Sequence, residues 1–175
     1  MIGSWSTKQI GAIHRQMILT DSRHLAKEIQ DRSDRDAIVG IDGWTGVGKT
    51  SLAKVLANAT GGSTFDLDTA LDKDRNCYVA ALRIDEIRRG LAAGGLLFVS
   101  GICLRQVLAL VEVRADAHVY VKRMATWGWA DEDDLLAKIP EFAGSSGESL
   151  RQEMRRYHLK WKPHLRSTYE FHRQC

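Results

Sequence analysis

A chain of 175 residues has room for one hydrophobic core and little more. With 44% apolar and 27% charged residues its composition is that of an ordinary globular domain, which excludes a fibrous, disordered or wholly membrane-embedded chain. Twenty-five Lys and Arg against twenty-two Asp and Glu leave a formal charge of +3, too mild to call for a nucleic-acid partner. The three cysteines, Cys77, Cys103 and Cys175, show no CxxC spacing, which argues against a zinc site or a disulfide framework and suits a reducing cytoplasm. The first residues lack a signal-peptide core, and the longest apolar run, near Leu96–Val99, is far too short for a membrane span. The expected location is therefore cytoplasmic, with no membrane partner; oligomeric state is left open.

In chain order, residues 6–31 carry apolar positions three and four apart and read as a helix, part of an N-terminal helical segment over 1–36. Ala37–Ile41 reads as a buried strand, Gly43–Gly48 as a turn, and Thr50–Asn58 as a helix stopped by Gly61 and Gly62. A second strand falls near Thr64–Leu67, followed by an acidic loop and a helix over Cys77–Ala93. Leu96–Val99 is the next strand, Ile102–Val111 a helix, and Ala117–Val121 a strand. After Met124 the pattern becomes polar and helical, with a hinge at Ser145, Ser146 and Gly147 and a last helix from Ser149 that Pro163 interrupts. Alternating strands and helices predict an α/β, three-layer fold: one domain over 1–175 with a mostly parallel sheet and a helical lid over 125–162.

The chemistry is carried by Gly43-Trp44-Thr45-Gly46-Val47-Gly48-Lys49-Thr50, which fits G-x-x-x-x-G-K-[ST] at every defined position. The stretch Gly43–Ser51 is assigned to the phosphates of ATP or GTP. Its glycines let successive N–H groups converge on phosphate oxygens, and the helix start adds its positive end. Lys49 is expected at the β- and γ-phosphates and the Thr50 hydroxyl on Mg2+. An apolar strand before the motif and an unbroken helix after it are the context that distinguishes it from a glycine-rich turn binding nothing. No N-K-x-D segment for reading guanine occurs, and the strand Leu97-Phe98-Val99-Ser100-Gly101 does not end in an acid. Both absences point away from hydrolysis as the purpose and toward transfer to a small acceptor.

Gly40-Ile41-Asp42-Gly43, Asp66-Leu67-Asp68-Thr69-Ala70-Leu71, Phe98-Val99-Ser100-Gly101-Ile102-Cys103-Leu104 and His118-Val119-Tyr120-Val121-Lys122-Arg123 together resemble the uridine kinase and phosphoribulokinase-like group of P-loop kinases. The likeness runs over roughly residues 37–124. It implies that Asp68 accepts the proton of the acceptor hydroxyl, a role a carboxylate at a strand's C-terminal end can fill because it faces the P-loop crevice. Asp66 points the same way if that stretch is extended, and either acid can hold Mg2+ through water; a solvated acidic loop with Asp72 and Asp74 is the plainer alternative. Ser100 departs from the group, whose members often carry Glu there.

Residues 151–173 hold seven basic side chains: Arg151, Arg155, Arg156, Lys160, Lys162, Arg166 and Arg173. Arg151 and Arg155, four apart on one helical face, are candidates to neutralise the transferred phosphoryl group, with Arg123 a further one; the alternative is an ordinary surface helix. Trp127, Trp129, Tyr157 and Trp161 either stack on a ligand or pack the core. The resulting expectation is an ATP-dependent, Mg2+-using phosphotransferase whose partners are a nucleoside triphosphate and a small, nucleoside-like hydroxyl acceptor. The competing expectation is a nucleotide-dependent regulatory ATPase or switch without an acceptor.

Overall fold

The computed structural model describes residues 16–72, 77–136 and 149–174. Its elements run β1 (Met17–Leu19), α1 (Ser22–Arg32), β2 (Ile38–Gly43), α2 (Lys49–Thr60), β3 (Ser63–Asp66), α3 (Ile84–Leu91), β4 (Leu97–Ser100), α4 (Leu104–Leu110), β5 (Ala117–Ala125), β6 (Gly128–Trp129), α5 (Glu132–Leu136), α6 (Leu150–Trp161), α7 (Pro163–Arg166) and β7 (Tyr169–Gln174). Short 3-10 turns cover Leu67–Ala70 and Val79–Ala81. The described strands make one sheet in the order β1-β7-β5-β2-β4-β3, with β6 folded back on β5. Every pairing is parallel except β5 with β6. This is the mostly parallel α/β sheet expected from alternating strands and helices.

β2 lies between β5 and β4, and Val39, Gly40, Ile41, Asp42 and Gly43 are all buried. A strand covered on both faces reads as a continuous apolar run, which is why Asp42 stands out within it. α2 starts at Gly48, in the left-handed region at φ +88°, and ends at Gly61, whose N–H returns to the Ala57 carbonyl. It buries Leu52, Ala53, Leu56 and Ala57. α6 opens with a reciprocal cap between Ser149 and Gln152 and stops at Lys162, after which Pro163 starts α7.

The structure changes several expected boundaries. Met17–Leu19 is a strand beside β7, so the helix expected over 6–31 covers only Ser22–Arg32 of the described residues; residues 6–15 lie outside them. Asp21 caps the helix by accepting from the Arg23 N–H at 2.7 Å, a local stop signal that apolar spacing alone does not convey. The single helix expected over Cys77–Ala93 is broken, because Asp72 N–H bonds the Ala81 carbonyl at 2.7 Å and Arg83 N–H bonds Ala70 at 2.8 Å. That pairing holds Leu82 and Arg83 extended and delays α3 until Ile84. After Met124 the chain makes a hairpin into β6 before any helix. Tyr169–Gln174, expected as the far end of the last helical region, is instead β7, with Tyr169, Glu170 and Phe171 buried between β1 and β5. The expected hinge at Ser145, Ser146 and Gly147 lies outside the described residues, as does Asp74. Among the described residues no helix is long and apolar enough to cross a membrane.

Candidate active site

The loop between β2 and α2 leaves the sheet at its carboxyl end, where β2 stands between two neighbours. Gly43 takes φ +149°, and a Cβ there would lie 2.6 Å from the Val121 carbonyl oxygen, so only glycine lets the chain turn against β5. At Gly48 a Cβ would meet the guanidinium of Arg173, which reaches in from β7 and donates to the Val47 carbonyl at 3.3 Å.

Thr45, Gly46, Gly48, Lys49, Thr50 and Ser51 line a crevice of about 380 Å3. Asp66, Asp68, Leu71, Tyr78, Gly101, Ile102 and Leu150 line it as well. Gly43, Trp44 and Val47 complete the loop from below, with Trp44 and Val47 packed into the core. Lys49 is 8% exposed and donates to the carbonyls of Gly43 at 3.2 Å and Trp44 at 2.6 Å. Burial pushes its ammonium below the usual lysine range, and Asp42, then Asp68 and Asp66, act against that push.

The two acids divide their contacts. Asp66 accepts the Thr50 hydroxyl at 2.7 Å on one oxygen and the Asp68 N–H at 3.1 Å on the other. Asp68, exposed to the crevice, accepts the Tyr78 hydroxyl at 2.7 Å. Tyr78 and Val79 are anchored through their backbone N–H groups to Glu153 of α6, at 2.6 and 2.9 Å. Behind the loop, buried Asp42 accepts the Gly43 N–H at 2.8 Å and the Tyr157 hydroxyl. Its carboxyl is raised to about 6, by burial above all, against the lowering effect of those hydrogen bonds and of Lys49.

Thr50 and Asp66 present a hydroxyl and a carboxylate side by side, a pair of hard oxygen donors that fits Mg2+, which keeps most of its waters. Ser100, the departure from the resembled group, is 1% exposed and in register with Asp66 and Ile41.

Of the sequence-predicted residues, Thr45, Gly46, Gly48, Lys49, Thr50 and Ser51 and both acids thus meet in one crevice, while Gly43, Trp44 and Val47 do not line it. Arg151 and Arg155 do not line it. Both turn to Asp134 of α5, Arg151 at 3.4 Å and Arg155 at 4.0 Å, and Arg155 also donates to the Asp134 carbonyl at 2.6 Å. Arg123 pairs with Asp131. Of the aromatic group, Trp127 is 82% exposed at the β5–β6 turn, Trp129 packs edge-on against Tyr120, and Tyr157 is buried on Asp42.

Asp42, Tyr78 and Glu153 are site neighbours to which reading the sequence gave no role, and Arg173 entered it only as one of seven basic residues. Asp42 had a signal, an acid inside an apolar strand. Tyr78 and Glu153 had none, since 75 positions separate them and only tertiary packing joins them.

Strand order, the loop after the central strand and the lysine buried beneath it define a P-loop α/β protein. In fold the chain is similar to a possible uridine kinase from Bacillus stearothermophilus, with a TM-score of 0.56 and 14% identity over 86% of this chain and 96% of that one. A shikimate kinase from Bacteroides thetaiotaomicron follows at TM-score 0.41 and 16% identity, over 78% and 85% of the two chains. Both are P-loop small-molecule kinases. No protein-family model and no curated protein matches the sequence.

Proposed function

We propose that this chain is an ATP-dependent phosphotransferase that moves the γ-phosphoryl group to a hydroxyl of a small, nucleoside-like metabolite. The observation that carries the reading is the meeting of Lys49, Thr50, Asp66 and Asp68 around one crevice. The likeness in fold to a possible uridine kinase supports the nucleoside-like acceptor.

In this reading the amides of Gly43–Ser51 cradle the phosphates, and Lys49 exchanges the carbonyls of Gly43 and Trp44 for β- and γ-oxygens. Thr50 and Asp66 would hold Mg2+, directly or through water, and the bound ion would neutralise negative charge on the phosphate oxygens. Asp68 accepts the proton of the acceptor hydroxyl, and the Tyr78 hydroxyl fixes the orientation of its carboxylate. The lid is placed in the expected segment 125–162, of which residues 137–148 lie outside the described ones. Its arginines, Arg151 and Arg155, reach the phosphoryl group only once they release Asp134, which makes closure a prerequisite for transfer.

Screening a library of hydroxyl metabolites for acceptor-dependent ADP formation tests the reading. A hit with phosphorylated acceptor as product, lost in Lys49→Ala, is the expected result. Slow ATP hydrolysis that no acceptor accelerates would replace the kinase with a regulatory ATPase.

A further inference from the structure

Asp42 occupies the end of β2 with 2% of its surface exposed, directly behind the loop that Lys49 underlies. The groups facing it come from every element around it. Lys49 of α2 and Arg105 of α4 act on it as cations. Tyr157 of α6 donates to it, and the Tyr157 oxygen in turn accepts the Arg105 N–H at 3.2 Å. Tyr120 of β5 is its partner in register, and Cys103 lies beside Lys49 and Tyr157. His158 is held neutral near pH 7, since burial above all, with a smaller push from Lys49, brings it down to about 4.

Both hydrogen bonds of Lys49 go to neutral carbonyls, and among its anionic neighbours Asp42 contributes most. The lysine therefore has an anion behind it and the phosphate position in front.

We propose that Asp42 is a positioning residue that serves as counter-ion to Lys49 in the free protein and takes up one proton when a nucleoside triphosphate fills the loop. This rests on the P-loop reading but not on the identity of any acceptor. A triphosphate brings several negative charges to the far side of Lys49 and draws the ammonium toward them, so Asp42 loses support and gains like-charge repulsion. Its carboxyl already stands at about 6, so a modest further rise carries it through neutrality. The proton comes from the buffer, turning carboxylate into carboxylic acid, and no other bond changes.

Titration calorimetry of the full chain with ATP in saturating Mg2+, run at pH 7 in phosphate and in Tris, reads the protons exchanged. The wild type should take up about half a proton or more beyond Asp42→Asn, because the nucleotide's own protons cancel in the comparison. Its affinity should fall by up to about tenfold per pH unit between pH 6.5 and 8, while that of Asp42→Asn stays flatter. Tyr157→Phe, which keeps the carboxyl but removes a bond that lowers its pKa, should move the fall to higher pH. Binding with equal proton exchange in wild type and Asp42→Asn, or a wild-type affinity flat across that range, overturns the role of Asp42 alone. Absence of nucleotide binding by the wild type overturns the P-loop reading along with it. If Asp42→Asn does not fold, the wild-type pH profile and Tyr157→Phe decide the matter.

Discussion

Asp66 and Asp68 stand two positions apart, yet one is spent on Thr50 and the chain's own turn while the other faces open crevice. The proposed roles, metal for Asp66 and proton for Asp68, rest on that division. Asp68→Asn should lower kcat by about 100-fold or more with little change in nucleotide affinity, whereas Asp66→Asn should raise the Mg2+ concentration needed for half-maximal rate. Steady-state kinetics over a Mg2+ series check both, and reversed behaviour of the two variants would exchange their roles. A second expectation concerns acid stability. Burial brings His118 down to about 3 and His158 to about 4, so both resist a proton that the unfolded chain accepts. Their contribution is whole above the ordinary 6.5 and is lost as pH falls toward those values. Asp42 has the opposite sign, its contribution being whole below 3.8 and lost as pH rises through about 6. Tm should therefore decline between pH 6.5 and 4, more steeply in Asp42→Asn and less steeply in His158→Gln. Thermal melts across that range measure it; parallel curves for all three proteins would contradict the assignment. At this scale the loop was legible because its residue types are dictated by phosphate geometry. The Tyr78–Asp68 and Tyr157–Asp42 contacts were not, since an isolated tyrosine in a sequence does not say which acid it will meet.

Helix α6 reaches the site at three points, with Leu150 on the crevice, Glu153 on the Tyr78 turn and Tyr157 on Asp42. Glu153 and Tyr157, four apart and so on one face, reach the Tyr78 turn and the end of β2, while Arg151 and Arg155 turn toward α5. The helix thus has a docked face and a face with arginines held in reserve by Asp134. Hydrogen exchange over Leu150–Trp161 should slow when an ATP analogue and an acceptor bind together. Arg155→Ala should cut kcat by about tenfold or more beyond its effect on nucleotide binding. Asp134→Asn, which removes the ion pairs of both arginines but keeps the Arg155 bond to the Asp134 carbonyl, should leave kcat undiminished. Equal protection with and without ligands, together with a harmless Arg155→Ala, would make α6 plain scaffold. The existence of most elements was legible from apolar periodicity and from the glycines around α2. Their edges were not, where backbone pairing from a distant segment broke the helix expected over Cys77–Ala93. Strands of three to six residues such as β1 and β7 escape notice for a related reason: Met17–Leu19 and Tyr169–Gln174 are extended because of what lies beside them.

The whole molecule depends on a strand order that chain order does not suggest. β7 is inserted between β1 and β5, so it contributes hydrogen bonds to both and buries Tyr169 and Phe171 in the core. Removing residues 167–175 should abolish cooperative unfolding rather than merely lower its midpoint, as read by circular dichroism melts. A truncated chain that still melts in one sharp transition would mean that β1, β5 and the P-loop form a unit without it. Alternation of strands and helices made the parallel sheet legible, but it carries no information on which strand arrives last at which slot.

The placement of β7 also has a bearing on biogenesis. β1 emerges from the ribosome first and has no sheet neighbour but β7 among the described strands, so it must wait, unpaired, through the synthesis of nearly everything that separates Met17 from Tyr169. β2, β3 and β4 can pair much sooner, and the P-loop with them. A nascent chain therefore passes through a stage in which the phosphate loop is assembled while the flank of β5 is still open, and β1 joins the sheet only once β7 fills that flank.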